Sequence, residues 1–471
     1  MMSQDNYGLN PDRPTANTAV RHADAQGHVD PALELVTDFT QPGPAAAYLR
    51  TTAAVRERAA QLLARARQGE SAWFTIGGDA MLDDAAQVVA EVTRERYPSG
   101  RIPFHSRWRH FEAGGIDRLA ALDRLLGDGV TPRERARVQI DLVLVSVLLD
   151  AGAGPGWHYV ESASGQRFTR SEGLGVASFH AFTSGLFSSD PDRPLQVDAA
   201  GLRGLIADRL GQAFQVSDVN PLVGIAGRTT LLRRLGEALA EQPEVFGQDG
   251  RPGGLFDALV GPVGPAVPPT AEVTAHELLS LLLASLSRIW PAANFVDSIA
   301  ADGSDTPGGI GSGNPDFALG DCWRHPGVHG PGLSNGWMPF HKLSQWLTYS
   351  LLEPFEWAGV KVHGLDALTG LPEYRNGGLL IDSGVILLRD PALAARRWKV
   401  GDAFIVEWRA LTVALLDELA PRVRTLLGRS ADEMPLACVL EGGTWAAGRV
   451  LAQRLRDGSP PLQIESDGTV F

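Results

Sequence analysis

Apolar residues return every three or four positions along most of this chain, which is the period of helices with one buried face. Residues 45–68 and 82–96 read as amphipathic helices rich in Ala, Leu, Arg and Gln. Thr131-Pro132-Arg133-Glu134 is a helix start, with a Thr cap, Pro at the first helical position and Glu at the third. The helix it opens runs to Asp150, is very apolar and is expected at the centre of the fold. Further helices fit 198–213, 228–242, 270–290, 341–353, 392–398, 402–420 and 444–456. Two runs, 358–363 and 379–388, have strand character and are expected to pair. The fold class is therefore mainly α, a large multi-helix domain with a small β element. Residues 1–42 are polar and aperiodic and read as a flexible arm. Residues 43–471 read as a single large helical domain. A Gly/Pro-rich connection at 243–269 leaves open a division into lobes 43–242 and 270–471.

Composition narrows the function. With 471 residues the chain can bury a sizeable core, and 44% hydrophobic with 21% charged residues is ordinary for a globular protein. A net charge of -13 argues against nucleic acid as partner, because phosphate contacts need a basic surface. Two cysteines, Cys322 and Cys438, are too few for a disulfide framework and suit a reducing, cytoplasmic location. The most apolar run, 278–286, is too short to span a bilayer, and the N-terminus lacks signal-peptide pattern, so no membrane partner is expected.

Candidate chemistry clusters in a few segments. On the predicted helix 341–353, Lys342, Gln345 and Tyr349 share one face. About thirty residues on, Glu373, Tyr374, Arg375 and Asn376 precede Gly377-Gly378, and that double glycine permits unusual backbone angles in a loop. If 102–111 is extended, His105, Arg107 and Arg109 face one way, as a phosphate or carboxylate clamp. The alternative is that they pair with the protein's own carboxylates. The Gly-rich stretch 302–336 holds Asp321, Trp323, His325 and His329, and a long irregular segment is more often functional than accidental. No HExxH or paired CxxC is present, Cys322 with His325 is an isolated spacing, and no metal or other cofactor is expected. Phosphate-loop, dinucleotide and GxSxG patterns are absent as well.

Longer stretches carry a resemblance. IPFHSRWRHFEAGGIDR (102–118), VLLDAGAGPGWHY (147–159), RSEGLGVASF (170–179), GDCWRHP (320–326), PFHKLSQWLTYSLLEP (339–354), GLPEYRNGGLLIDSGVI (370–386), LEGGTWAAGR (440–449) and the terminal SDGTVF resemble the uracil catabolism protein four family (URC-four/Urg-three). That resemblance implies a pathway that opens the uracil ring of a ribosylated pyrimidine and passes through a ribosyl-urea to urea. Lys342, Gln345, Glu373, Tyr374 and Arg375 are also similar to a pattern of the queuosine-salvage N-glycosidases, with Glu373 where that family has Asp. This second likeness implies a DNA-glycosylase-like helical core and metal-free cleavage of a base from a ribose 5′-phosphate.

The two likenesses together imply an N-ribohydrolase acting on ribosyl-urea or its 5′-phosphate. Glu373 would stabilise an oxocarbenium-like transition state and orient water. Lys342 would hold Glu373 ionised or grip a ribose hydroxyl. His325 or Asp321 would donate the proton, and Trp323 would stack on the substrate. Arg107, Arg109, His105 and Arg375 would meet the phosphate, with Gln345, Tyr349, Tyr374, Asn376, Asp150 and Glu441 as further polar contacts. The alternatives are an amidohydrolase acting on an earlier ring-opened intermediate, or a non-catalytic partner that binds the intermediate.

Overall fold

The computed structural model describes residues 37–261, 267–268, 270–290, 294–297 and 314–465. Most of the expected arm, part of the 243–269 connection, residues 302–313 of the Gly-rich stretch and the terminal SDGTVF lie outside them. Among the described residues helices dominate, and the β structure is five two-stranded ribbons of two- or three-residue strands with two isolated bridges. The protein is mainly α.

Helix Pro132–Leu148 is the central element. Thr131 accepts the backbone N–H of Glu134 at 3.2 Å, Pro132 occupies the first turn, and every residue from Val138 to Leu148 is buried. A cap of this kind stabilises a helix by about 1 kcal/mol. Helix Lys342–Trp357 packs against it and against helix Ala275–Leu286. Helix Ala403–Leu427 lies across Thr52–Arg67 and Asp79–Arg96, and Tyr374–Asp382 lies on Trp445–Arg456. The main hydrophobic core draws on both sides of the 243–269 connection, from Leu63 to Leu462. That connection also contains two short helices, Pro243–Phe246 and Gly254–Val260.

Several local expectations need correcting. The stretch 45–68 is two helices, Pro42–Leu49 and Thr52–Arg67, because Thr51 starts a new cap by accepting from Ala54 N–H. The expected helix at 392–398 is a 3₁₀ turn, Pro391–Ala395, followed by a strand. The two strand-like runs do not pair with each other. Lys361–His363 runs parallel to Glu272–Thr274, and Ile386–Leu388 runs antiparallel to Phe74–Ile76. Residues 379–382 of the second run are helical, as the end of helix Tyr374–Asp382.

Glu373 to Gly378 is not a loop. Glu373 is the N-cap of helix Tyr374–Asp382, and the glycines lie inside that helix. They serve close packing rather than an unusual backbone angle, because a Cβ on Gly377 would collide with the Trp408 ring. Residues 102–111 are not extended either. They turn into the short helix Trp108–Phe111, so alternation does not align His105, Arg107 and Arg109.

Candidate functional site

Two charged side chains buried in apolar surroundings build the scaffold. Asp321 and Arg409 form a two-pronged pair, Nη1 to Oδ1 at 2.8 Å and Nη2 to Oδ2 at 2.7 Å, with Arg409 fully buried over the Phe340 ring. The Trp323 Nε1–H adds a bond of 2.7 Å to Oδ1, and the Lys342 N–H one of 3.0 Å to Oδ2. Burial opposes the charge of Asp321, but Arg409 and these donors win and hold its carboxyl down at about 2. The Asp321 carbonyl accepts from the N–H groups of Phe340 and His341. This anchors His341 in a left-handed conformation (φ 49°), which costs a non-glycine residue about 1–3 kcal/mol. Helix Lys342–Trp357 starts there. Arg409 Nε also reaches the Pro372 carbonyl at 3.4 Å. One guanidinium therefore braces the residue before Glu373 and, through Asp321, the start of the Lys342 helix.

Gln345 and Tyr349 complete the brace from below. Gln345 exchanges two hydrogen bonds with Thr369, donating to Oγ1 at 2.6 Å and accepting from N–H at 2.8 Å, and Tyr349 OH donates to the Thr369 carbonyl at 3.1 Å. Both side chains are buried and fix the chain four residues ahead of Glu373. Asn376 is likewise internal, donating to the Leu371 carbonyl at 3.0 Å.

Lys342 and Glu373 lie within electrostatic reach of each other. Both remain partly accessible, yet burial is the largest influence on each, pulling the Lys342 ammonium down and pushing the Glu373 carboxyl up. A group that is desolvated yet accessible lines a concavity. The charges oppose these shifts: Glu373 raises Lys342, and Lys342 and His105 lower Glu373. Glu373 also accepts the N–H groups of Arg375 and Asn376 at 2.7 and 2.6 Å, so its carboxylate is fixed in direction. Tyr374 beside it is pushed up to about 12 by burial and by Glu373.

An aromatic cluster borders Lys342. Trp346, one turn along from Lys342, lies edge-on to His110 at 5.7 Å and near His105 at 6.4 Å, with the Arg107 guanidinium 5.7 Å from its ring. Arg107 pairs with Asp150 at 2.8 Å and donates to His110 Nδ1 at 3.2 Å. Burial and the Arg107 charge hold His110 at about 4, so it is neutral at pH 7. His105 pairs through Nδ1 with Glu441 at 2.9 Å.

The segments around 105–110, 150, 342–346, 373–375 and 441–445 therefore converge, and some assigned roles change. Asp321 is an ionised, saturated acceptor and has no proton to give at neutral pH. His325 stands apart, between Glu407 at 3.2 Å, the Gly327 N–H and the Trp73 ring. Trp323 is committed to Asp321 and packs on Gly401. Arg107 and Arg109 are neutralised by Asp150 and Glu353, and His105 is bonded to Glu441, the alternative left open by the sequence.

Arg375 has no carboxylate partner among the described residues. It donates to the Gly458 carbonyl and feels first the charge of Glu373, then those of Arg170, Arg449 and Glu172. Sequence reasoning missed Arg409 and Trp346 as site residues. For Arg409 the signal was present, since an Arg in the apolar run AFIVEWRALTVALL needs a buried partner. Among the described residues no group of three or more His, Cys, Asp or Glu is arranged to hold a metal, and no helix is long and apolar enough to cross a membrane.

Comparison with known proteins adds the family. A family model described as "Protein of unknown function (DUF1688)" matches residues 48–471. "Protein urg3" of Schizosaccharomyces pombe is 38% identical over 424 residues, covering 88% of this chain and 96% of that protein. "Uracil catabolism protein 4" of Lachancea kluyveri is 36% identical over 453 residues, covering 90% of this chain and 98% of that protein. Nothing in these matches supports the likeness to queuosine-salvage enzymes. Each converging segment lies inside the matched region, and the chain belongs to the DUF1688 family, together with urg3 and uracil catabolism protein 4.

Proposed function

We propose that this protein serves uracil catabolism, in keeping with the name of its Lachancea kluyveri relative, and that it cleaves the bond between ribose and urea. The observation that carries the reading is the Lys342–Glu373 pair, desolvated, accessible and bordered by Trp346 and two histidines. N-ribosyl cleavage builds positive charge on the anomeric carbon and the ring oxygen. A carboxylate held in direction by two backbone N–H groups meets that charge without reorganising. Its raised pKa makes it a better acceptor for the proton of the attacking water. Lys342 keeps it ionised while the ribose is absent. Trp346 offers an apolar face, and Arg375, with Arg170 nearby and Arg449 paired to Glu172, supplies positive charge for a 5′-phosphate.

The test is urea release. Purified protein is incubated with ribosyl-urea and with its 5′-phosphate, and urea is read by a urease-coupled assay. Glu373→Gln keeps the shape and one capping oxygen, so it is expected to bind substrate and stay folded within about 1 kcal/mol, while losing on the order of 100-fold or more in turnover. Unchanged turnover in Glu373→Gln rules out the role given to that carboxylate. Tight binding without urea release by the wild-type protein favours a non-catalytic carrier of the intermediate. That second reading draws on Glu373 also being a helix cap.

A further inference from the structure

Urea is a poor leaving group as an anion, so ribosyl-urea cleavage calls for a proton donor, and neither Asp321 nor His325 stands where one is needed. We propose that His105, positioned by Glu441, donates that proton through Nε2; this rests on the ribohydrolase reading above. The ring is fixed from several sides. The His105 backbone N–H donates to the Ala437 carbonyl at 3.0 Å, and the ring Nδ1 lies 2.9 Å from Glu441 Oε2. The other Glu441 oxygen accepts from Arg96 Nη2 and from Tyr97 OH, both at 2.9 Å. His105 and these donors hold Glu441 at about 2 against the cost of burying it. An ionised carboxylate only accepts, so Nδ1 is the ring's donor and Nε2 is left for chemistry.

Nε2 has no hydrogen-bond partner among the described residues and is not sealed from solvent. Trp346 and Trp445 flank the ring at 6.4 and 6.3 Å. The titratable and charged groups facing it are Glu441, Arg96 and Tyr97 behind, and Glu373, Lys342 and the neutral His110 nearby. A second observation sets Glu441 apart. It lies in a π-helical turn, Leu440–Thr444, a rare insertion that favours functional sites. The turn is packed in place, since a Cβ on Gly443 would collide with Thr93 and Val89.

The step balances. The electrons of the C1′–N bond pass to the urea nitrogen, which takes the proton from Nε2. Water adds to C1′ and gives its proton to Glu373. Ribosyl-urea and water become ribose and urea, and solvent returns the proton from Glu373 to His105.

The experiment compares leaving groups in the full-length protein, using ribosyl-urea in the form the wild-type protein turns over and a 4-nitrophenyl riboside, whose phenolate departs unprotonated. His105→Gln is expected to lose about 100- to 10,000-fold on the urea substrate and less than about 10-fold on the nitrophenyl substrate. Glu373→Gln is expected to lose on both. Equal losses on both substrates in His105→Gln, or undiminished urea release, overturn the proposal.

A second readout needs no turnover. Nitrogen NMR of the histidine rings is expected to show His105 as the Nδ1–H tautomer when neutral, with Glu441→Gln relaxing that preference. An Nε2–H tautomer in the wild-type protein overturns the dyad by itself. Absence of urea release by wild type instead removes the ribohydrolase reading and the urea step, and the tautomer then decides the dyad separately.

Discussion

Asp321→Asn is the most informative single change, because it tests the brace without altering the Lys342 or Glu373 side chain. In the wild-type protein the Asp321 carboxyl is held at about 2 against an ordinary value of 3.8. At about 1.4 kcal/mol per unit, that depression contributes about 2 kcal/mol of stability at neutral pH. The folded pKa lies below the unfolded one, so this contribution is fully present above pH 3.8 and is lost as pH falls through about 2. Substitution costs more than protonation. Asn presents N–H where Arg409 and the Lys342 N–H need an acceptor, and Arg409, fully buried, stays charged. Breaking one side of a buried pair costs about 3–5 kcal/mol.

Asp321→Asn is therefore expected to lose at least about 3 kcal/mol in urea denaturation at pH 7, followed by tryptophan fluorescence. It is also expected to lose turnover, because Lys342 and Pro372 are released together. Arg409→Met added to Asp321→Asn removes the orphaned charge and should recover part of the stability but none of the turnover. A loss below about 1 kcal/mol in the single variant refutes the brace, since a surface pair would cost that little.

Gln345→Leu leaves the Thr369 N–H without its acceptor inside the core and takes a donor from Thr369 Oγ1 and from the Phe340 carbonyl; it is expected to cost about 1–3 kcal/mol and to lower kcat more than it raises KM, measured by denaturation and steady-state kinetics. Arg375→Ala should weaken the 5′-phosphorylated substrate by about 10- to 100-fold in KM and leave the unphosphorylated one nearly unchanged; an equal effect on both refutes the phosphate contact. Gly377→Ala is expected to destabilise the protein by about 1–3 kcal/mol through the Trp408 collision, read as a lowered melting temperature.

What the sequence made legible was periodic or contiguous. The helix opened by Thr131 and Pro132 carries its own start signal and a run of apolar residues long enough to average out local exceptions. Strand pairing was not legible, because three-residue strands such as Phe74–Ile76 hold too few positions to show a period, and their partners are set by tertiary packing. Site segments stood out as polar residues in apolar company, while their roles depended on partners far along the chain. Asp321 looks like a free acid until Arg409, 88 residues on, is placed beside it. His105 looks like part of a phosphate clamp until Glu441 claims Nδ1. Glu373 reads as a loop residue in the sequence because a double glycine more often marks a turn than a tight helix contact.

The pairing of His105 with Glu441 joins residues 336 positions apart. On a ribosome adding about 5–20 residues per second, His105 would emerge roughly 20–70 s before its carboxylate exists. Throughout that interval Arg96, Tyr97 and the ring wait without the group that orients them. A chain shortened at its C-terminal end could retain the central helices and lack the dyad altogether. On the dyad proposed above, orientation of His105 is thus tied to synthesis of the chain past Glu441.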